Sequence, residues 1–299
     1  MTATTPPAPR RAHLDLPKQA HNDLTLLILL ADTPIPSIRE THGTYHDVFA
    51  SLFRASLALA RAEEEQPDDA GVEPAHKNSK PRRHKLTIKS YDVVEKQYPS
   101  EEEVKEADGL LITGSASNAY DDLDWINRLI SFVADLPSAN PDLKLIGICF
   151  GHQIISRAFG GVCERNEKGW EIGPRTLELT EVGQEVFRGK EQINVHQMHR
   201  DHVPSVPPNF ELLASTDNTP VHGLVRFKNP SAPFSLTNIS ILTLQGHPEF
   251  DSHIINTLID VREEKGIISQ EVADVSREAA GTHDHGDWIG RRILGVFAV

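Results

Sequence analysis

Hydrophobic positions follow two different periods along the first half of the chain. Predominantly apolar segments of strand length occur at residues 24–31 (LTLLILLA), 109–115 (GLLITGS) and 143–148 (LKLIGI), and such segments are typical of strands covered on both faces. Between them, apolar residues recur at helical spacing, in stripes that begin at Val48 and at Trp125. Strands and helices that alternate in this way predict an open, mostly parallel α/β sheet, doubly wound, with helices on both faces.

Shorter apolar segments separated by turn residues dominate the second half. RTLELT, QINVHQM, FELLAST, PVHGLVRF and ISILTLQG all have strand length, and helical stripes follow at about residues 252–264 and 287–297. Residues 1–20 are rich in Pro, Thr and Ala and are expected to form a disordered tail. We therefore expect a single domain over residues 21–299, with a flexible charged insertion at about residues 62–85.

Charge and cysteine content exclude several classes of protein. The formal net charge of −13 over 299 residues disfavours nucleic acid and anionic membrane surfaces as partners. No apolar run approaches the roughly 20 residues of a membrane helix. The two cysteines, Cys149 and Cys163, give no disulfide framework and indicate a reducing compartment. A cytoplasmic protein is expected; the basic run at residues 80–85 leaves a nuclear location as the alternative, although a solvated loop explains it better.

The segment GICFGHQ places a cysteine on a sharp bend after an apolar strand. Gly147 and Gly151 flank Cys149 at two positions on either side, the pattern of a nucleophile elbow with a thiol in place of a hydroxyl. The start of the following helix offers backbone N–H groups and the positive end of its dipole, which favour a thiolate. A buried structural cysteine is the alternative, but this context favours a nucleophile.

A base and an oxyanion hole are found at two other strand ends. The chain has 15 histidines, but His247 stands out because it lies in GHPE, at the end of an apolar strand and two residues before Glu249. His247 is expected to take the thiol proton, with Glu249 orienting the imidazole. Gly114, at the end of GLLITGS, and Phe150, directly after the cysteine, are the candidate oxyanion donors through their N–H groups.

GICFGHQ, GHPE and ITGS, in this order and spacing, resemble the class I glutamine amidotransferase family. The resemblance covers about residues 24–264 and implies a flavodoxin-like fold and hydrolysis of the side-chain amide of glutamine. It implies that Cys149 is the nucleophile, His247 the base and acid, and Glu249 the orienting carboxylate. It also implies that Ser115 and Gln153 lie beside the substrate.

THGTYHDVF, GSASNAYDDLDW and VHQMHRDHV resemble, more narrowly, the stand-alone γ-glutamyl peptidases of plants and their fungal relatives. Those proteins carry no synthase domain, and the resemblance implies a small γ-glutamyl substrate such as glutamine, a γ-glutamyl peptide or a glutathione conjugate. His199, Arg200 and Asp201 lie where the family has its substrate-side loop. They are candidates for binding the α-amino and α-carboxylate groups, and surface charge at a strand end is the alternative.

No metal and no cofactor are expected. The HDHGD segment around Asp284 has histidines at metal-ligand spacing, but a turn before the last helix explains it better. Patterns typical of nucleotide-binding loops do not occur. The preferred hypothesis is a stand-alone cysteine hydrolase of γ-glutamyl amides that acts through a γ-glutamyl thioester. The alternatives are a glutaminase subunit that supplies ammonia to a separate synthase, and a non-catalytic regulatory or binding protein.

Overall fold

The computed structural model describes residues 9–18, 20–65, 84–280 and 285–298. The strands in chain order are β1 (Arg10–Asp15), β2 (Leu24–Leu30), β3 (Lys85–Asp92), β4 (Gly109–Ile112), β5 (Lys144–Ile148), β6 (Glu164–Arg165), β7 (Glu171–Leu179), β8 (Gln192–His199), β9 (Asp201–His202), β10 (Glu211–Ser215), β11 (Gly223–Phe227) and β12 (Ile239–Leu244). The α-helices are α1 (Pro36–His42), α2 (Tyr45–Glu65), α3 (Glu101–Glu106), α4 (Asp124–Ala139), α5 (Phe150–Ala158), α6 (Glu181–Val186), α7 (Ser252–Glu264), α8 (Gln270–Ala280) and α9 (Gly286–Gly295).

The main sheet has a parallel centre and antiparallel flanks. Its strand order within the described part of the chain is β1-β3-β2-β4-β5-β12-β11-β10-β7-β8. β3, β2, β4, β5 and β12 run parallel, whereas β1 and the strands from β11 onward pair antiparallel with their neighbours. The predicted parallel, doubly wound sheet is thus confirmed, and the β-rich second half extends it on one side.

Successive side chains of the buried strands supply two separate cores. Leu26 and Ile28 of β2 join a cluster with side chains of α2 and α9, whereas Leu27 and Leu29 join one with side chains of α4 and α5. All four are buried. Alternate residues of a strand point to opposite faces, so a continuous apolar run is what a sheet covered by helices on both faces requires.

The prediction of a disordered tail up to residue 20 is wrong for residues 10–15. These residues form β1, which pairs in register with β3 from Arg10↔Ser90 to Asp15↔Lys85. Leu14 and Leu16 of this segment are buried in the core. Two apolar residues in an otherwise polar segment are too few to give the alternating pattern that predicts a strand. Residues 1–8 and most of the predicted charged insertion, residues 66–83, lie outside the described residues.

Local helix signals were more informative. Ser100 caps α3 by accepting the N–H of Glu103, and the Glu103 side chain accepts the N–H of Ser100. Ser followed by Glu three positions later is the sequence signature of this capping box. α5 begins at Phe150, directly after Cys149, and α8 lies in a segment for which the sequence pattern predicted no element.

The parallel strands end at one edge of the sheet. Asp32, Thr113, Cys149 and Gln245 follow β2, β4, β5 and β12 there. In open α/β sheets ligands bind beyond the carboxyl ends of the strands, so this edge is the place to look for a site. Among the helices of the described residues, none is both long enough and apolar enough to cross a membrane.

Candidate functional site

Cys149 lies on a strained bend between β5 and α5. Its φ of 52° and ψ of −105° put a non-glycine residue in a part of conformational space that side chains rarely adopt. Its N–H donates to the carbonyl of Leu244 at 2.8 Å, which ties the bend to the end of β12. The sheet thus holds the thiol at the edge where the strands end.

The two flanking glycines are required by close backbone approaches. A Cβ on Gly147 would lie 2.7 Å from the carbonyl oxygen of Gly151, and a Cβ on Gly151 would lie 2.2 Å from that of Ile112. Only residues without a Cβ let the two arms of the turn come so close to each other and to β4. The GxCxG pattern therefore follows from the geometry of the bend.

His247 and Glu249 form a buried pair in the turn after β12. The Nδ1 atom of His247 lies 2.8 Å from Oε1 of Glu249, and the imidazole stacks on the ring of Phe250 with centroids 4.0 Å apart. Burial by itself lowers the pKa of His247, but the negative charges of Cys149 and Glu249 and hydrogen bonds to both outweigh it and raise the pKa to about 10. The arrangement thus favours the imidazolium form of His247.

Gly114 lies against the side chains of both His247 and Cys149. A Cβ on this residue would be 2.8 Å from Cε1 of His247 and 3.5 Å from Cβ of Cys149. Phe150 is the first residue of α5, and the first N–H groups of a helix have no acceptor within it. The structure therefore brings Gly114, Cys149, Phe150 and His247 together around one point.

A cavity of about 280 Å³ opens beside Cys149. Five residues that the sequence singled out line it: Ser115, Gln153, His199, Arg200 and Asp201. It is also lined by Ala116, Ser117, Asn118, Tyr120, Arg165, Trp170, Met198 and Arg262. The loop after β4, the start of α5, the end of β8 and the helix α7 thus converge on the thiol.

A chain of amide side chains connects the cavity wall to the thiol. The Nε2 of Gln153 donates to the carbonyl of Asp201 and to Oε1 of Gln245, both at 3.0 Å. The Nε2 of Gln245 in turn lies 3.6 Å from Sγ of Cys149. Gln153 therefore sits beside the cavity as expected, and Gln245 is a direct neighbour of the thiol.

Asp201 and His199 occupy different positions in the wall. The carboxylate of Asp201 accepts a hydrogen bond from the hydroxyl of Tyr120 at 3.3 Å, and burial raises the pKa of Asp201 although Tyr120 and Arg165 oppose the shift. His199 directs Nδ1 to the carbonyl of Asp201 at 3.2 Å and Nε2 to Glu171 at 3.2 Å. Both ring nitrogens of His199 thus face protein atoms, and the ring supports the wall.

The carboxylate of Glu171 is the centre of a buried polar network behind His199. Thr216 and Thr219 donate to it at 2.7 and 2.6 Å, and Nε2 of His222 lies 2.8 Å from it. These contacts lower the pKa of Glu171 although burial alone would raise it. Glu171, His199 and His222 are close enough to share an ion, but the hydroxyl and imidazole groups already surround the carboxylate.

Several residues of the site were not singled out in the sequence: Tyr120, Arg165, Trp170, Gln245 and Arg262. Two of them could have been noticed, since Gln245 directly precedes GHPE at a strand end and Tyr120 lies within GSASNAYDDLDW. The others come from a two-residue strand, the loop before β7 and the last turn of α7, where no motif marks them. Of the HDHGD segment, residues 283 and 284 lie outside the described residues, and His285 accepts the N–H of Asn194 through Nδ1 at 2.8 Å.

The class-I glutamine amidotransferase family matches residues 76–258 of the chain. A glutamine amidotransferase-like protein of Schizosaccharomyces pombe is 35% identical over 241 residues, 80% of this chain and 84% of that protein. Gamma-glutamyl peptidase 4 of Arabidopsis thaliana is 31% identical over 256 residues, 84% of this chain and 86% of that protein. The chain therefore belongs to the class-I glutamine amidotransferase family, and it is an enzyme of the hydrolase type.

More distant proteins extend the comparison. The crystal structure of a glutamine amidotransferase from Thermotoga maritima superposes with a TM-score of 0.58 at 15% identity, over 93% of this chain and 97% of that one, which is a likeness of fold. A glutamine-hydrolyzing GMP synthase subunit of Sulfolobus acidocaldarius is 30% identical over 151 residues, 50% of this chain and 71% of that protein. Relatives of this chain thus include a protein named as part of a synthase.

Proposed function

We propose that the protein hydrolyses γ-glutamyl amide bonds without the help of a synthase, through a γ-glutamyl thioester on Cys149. The observation that carries the proposal is the strained elbow at Cys149, with the His247–Glu249 pair and Gly114 packed around it. A cysteine that served only packing would need neither the strained bend nor a buried imidazole and carboxylate beside it. The names of the plant relatives support the choice of γ-glutamyl substrates.

The acylation step uses the thiolate and the imidazolium as a pair. The sulfur of Cys149 forms a bond to the γ-carbonyl carbon, and the carbonyl electrons move to oxygen, where the N–H groups of Gly114 and Phe150 stabilise the charge. When the C–N bond breaks, His247 gives its proton to the departing nitrogen. The products are a γ-glutamyl thioester and a free amine.

The deacylation step reverses the role of His247. A water molecule loses a proton to the imidazole and attacks the thioester, and the sulfur leaves as a thiolate. Glu249 keeps the imidazole oriented and stabilises its cationic form in both steps. Glutamate is released, and the ion pair of Cys149 and His247 is restored.

The γ-glutamyl group is held at the Asp201 end of the cavity. Asp201 pairs with the α-amino group and Arg200 with the α-carboxylate, because opposite charges at fixed positions select an amino-acid end. Gln153 and Ser115 complete the wall, and Gln153 also fixes the carbonyl of Asp201. His199 is a positioning residue, because its Nδ1 contacts the carbonyl of Asp201 and so holds that residue in place.

The test is a substrate panel with wild-type protein and two variants of the thiol. Glutamine, γ-glutamylglycine and glutathione are assayed for release of glutamate, and Cys149→Ala and Cys149→Ser are expected to abolish it. A covalent γ-glutamyl adduct on Cys149, detected by mass spectrometry after rapid acid quench, would demonstrate the thioester. Failure of all three substrates, together with no labelling of Cys149 by a glutamine-like electrophile, would favour the non-catalytic alternative.

A glutaminase subunit is the second candidate, because one relative is named as a subunit of GMP synthase. In that case ammonia would be the useful product and a separate synthase would receive it. Glutaminase activity that appears only when a candidate synthase is added would favour this function. Glutamate release from γ-glutamyl peptides by the protein alone would favour the stand-alone hydrolase.

A further inference from the structure

Arg262 of α7 lines the same cavity as Cys149, and other side chains hold its guanidinium in place. The guanidinium lies 4.8 Å from the centroid of the Trp170 ring, and its Nε donates to Sδ of Met198 at 3.0 Å. A guanidinium that stacks on an indole loses little freedom when it binds a ligand. Arg262 is therefore a preorganised cation in the cavity wall.

Arg262 has no carboxylate partner within ion-pair distance in the part of the chain that the structure describes. Asp32 is an acidic neighbour whose charge reaches it, but the carboxylate of Asp32 accepts the N–H groups of Thr33 and Ala116, each at 2.7 Å. Burial lowers the pKa of Arg262, although the charges of Cys149, Tyr45 and Asp32 oppose that shift. A partly buried guanidinium stays protonated, so its position is best stabilised by a bound anion.

Charged groups divide the cavity into two ends. Asp201 accepts a hydrogen bond from Tyr120 and lies opposite Arg165 in the pairing of β6 with β9. Arg262 instead contacts Trp170 and Met198. Arg262 and Asp201 therefore lie in different surroundings within one cavity.

Met198 relates Arg262 to the His247 turn. Its Sδ accepts the Nε–H of Arg262, and Met198 belongs to the same buried cluster as Phe250. The ring of Phe250 in turn stacks on the imidazole of His247. His247 faces the departing nitrogen in the proposed reaction, so this packing favours the leaving-group side for Arg262.

The number of cations in the cavity exceeds what a γ-glutamyl group needs. That group carries one α-carboxylate and one α-ammonium group, and Asp201 with Arg200 and Arg165 already matches both. Arg262 adds a further positive charge to the cavity wall. A substrate with a second carboxylate, on the amine that departs, would satisfy it.

We propose that Arg262, held by Trp170 and Met198, binds a carboxylate of the leaving amine, so that the preferred substrates are γ-glutamyl peptides. This inference rests on the proposed function, because it assumes that the γ-glutamyl amide lies at Cys149. The reaction itself is unchanged: water is consumed, and glutamate and an amino acid or peptide are released. Glutamine, whose leaving group is ammonia, makes no contact with Arg262.

The experiment compares two substrates that differ only in the charge of the leaving group. γ-Glutamylglycine releases glycine, which has a carboxylate, and γ-glutamylglycinamide releases an amide of nearly the same size. We expect wild-type kcat/KM to be about 10- to 100-fold higher for γ-glutamylglycine, the range set by one charge-assisted contact. Arg262→Gln should bring that ratio close to one, and Arg262→Lys should restore part of it.

Arg200→Gln is the matched control. It removes a cation from the Asp201 end, which is proposed to bind the γ-glutamyl group that both substrates share. It should therefore lower kcat/KM for both substrates by the same factor. A change of the ratio in Arg200→Gln and none in Arg262→Gln would overturn the assignment of the two ends.

The wild-type ratio tests the inference even if a variant fails to fold. Equal turnover of the two substrates by the wild-type enzyme would overturn the role of Arg262 and leave the proposed hydrolase intact. Turnover of neither substrate would overturn both proposals. A wild-type preference for γ-glutamylglycine that Arg262→Gln removes would support the inference.

Discussion

The Nδ1 atom of His247 lies 2.8 Å from Oε1 of Glu249, two positions further along the same turn. The turn is also tied to β8, since the N–H of His247 donates to the carbonyl of His196 at 2.8 Å. Because both residues of the pair belong to one short segment, their relative position does not depend on packing between distant elements. The proposed base and its orienting carboxylate therefore form one local unit.

Replacement of Glu249 should change the pH dependence of the reaction. The pKa of His247 is raised to about 10, so the imidazolium persists up to that pH and is lost as the pH rises through it. Glu249→Gln removes one of the negative charges that raise this pKa, so the alkaline limb of kcat/KM should move to lower pH. We also expect kcat to fall by about 10²- to 10⁴-fold, as for the orienting carboxylate of other triads.

Glu264→Gln, on the exposed end of α7, is the control for the loss of one carboxylate. Its pH profile should match that of the wild-type enzyme. An alkaline limb that stays in place in Glu249→Gln would argue against the pair as a catalytic unit.

Gly151→Ala should disrupt the elbow. The added Cβ would lie 2.2 Å from the carbonyl oxygen of Ile112, a backbone atom that cannot move without moving β4. We expect a loss of at least about 3 kcal/mol in the free energy of unfolding, at the upper end of the range for overpacked cores. Urea denaturation followed by circular dichroism measures it.

Gly160→Ala separates the clash from the general cost of replacing a glycine. Gly160 has a φ of +88°, but an added Cβ there has nothing within 4 Å. The expected loss is only about 1–2 kcal/mol, the cost of the left-handed conformation for a residue with a Cβ. Equal losses in the two variants would contradict the steric explanation.

Glu171→Gln should weaken the fold in a pH-dependent manner. The network lowers the pKa of Glu171 in the folded state, so the ionised carboxylate contributes stability above its unfolded pKa of about 4.3. That contribution is lost as the pH falls through the folded value. At pH 7 we expect the variant to lose about 2–4 kcal/mol, because several hydrogen bonds to a charged acceptor are weakened.

The difference between wild type and Glu171→Gln should shrink below about pH 4.3, measured by urea denaturation at several pH values. Glu164→Gln is the exposed counterpart, since Oε1 of Glu164 lies 3.8 Å from Nε2 of His202 at the surface. It should cost less than about 1 kcal/mol. A pH-independent loss in Glu171→Gln would show that the carboxylate charge contributes nothing.

Gln245→Leu should make the thiol less reactive. The Nε2 of Gln245 is a donor 3.6 Å from Sγ of Cys149, and donors favour the thiolate, which is the reactive form. We expect slower alkylation of Cys149 by iodoacetamide at pH 7, followed by mass spectrometry. Gln197→Leu is the matched control, because Gln197 is also buried but donates to the carbonyl of Val195. Its alkylation rate should stay at the wild-type value, and equal slowing in both variants would point to a general loss of packing.

The sequence predicted those parts of the molecule that depend on local pattern. Apolar runs identified β2, β4 and β5, and the glycines around Cys149 indicated the elbow because a tight turn excludes any Cβ. The GHPE turn could be placed at the end of β12 because it directly follows an apolar run of strand length. In each case one short segment contains all the residues that determine its conformation.

The remaining parts depend on which segments meet in space. Arg262 is an ordinary polar residue within the α7 pattern, and only the approach of Trp170 and Met198 places it in the cavity. Glu171 is likewise an ordinary residue at the start of β7, and its partners Thr219 and His222 lie about fifty positions away. β1 was missed because strand pairing, rather than its own composition, keeps it ordered. Long-range contacts of this kind leave no periodic signal.

The hydrogen bond from the N–H of Cys149 to the carbonyl of Leu244 links the proposed nucleophile to the strand that precedes the GHPE turn. Two neighbouring strands of one parallel ladder thus set the distance between Cys149 and His247. Other side chains that line the cavity come instead from the loop after β4, the end of β8 and α7. Substrate selectivity can therefore change among enzymes with this architecture through the loops and helices around the cavity, while the two central strands keep the distance between cysteine and histidine constant.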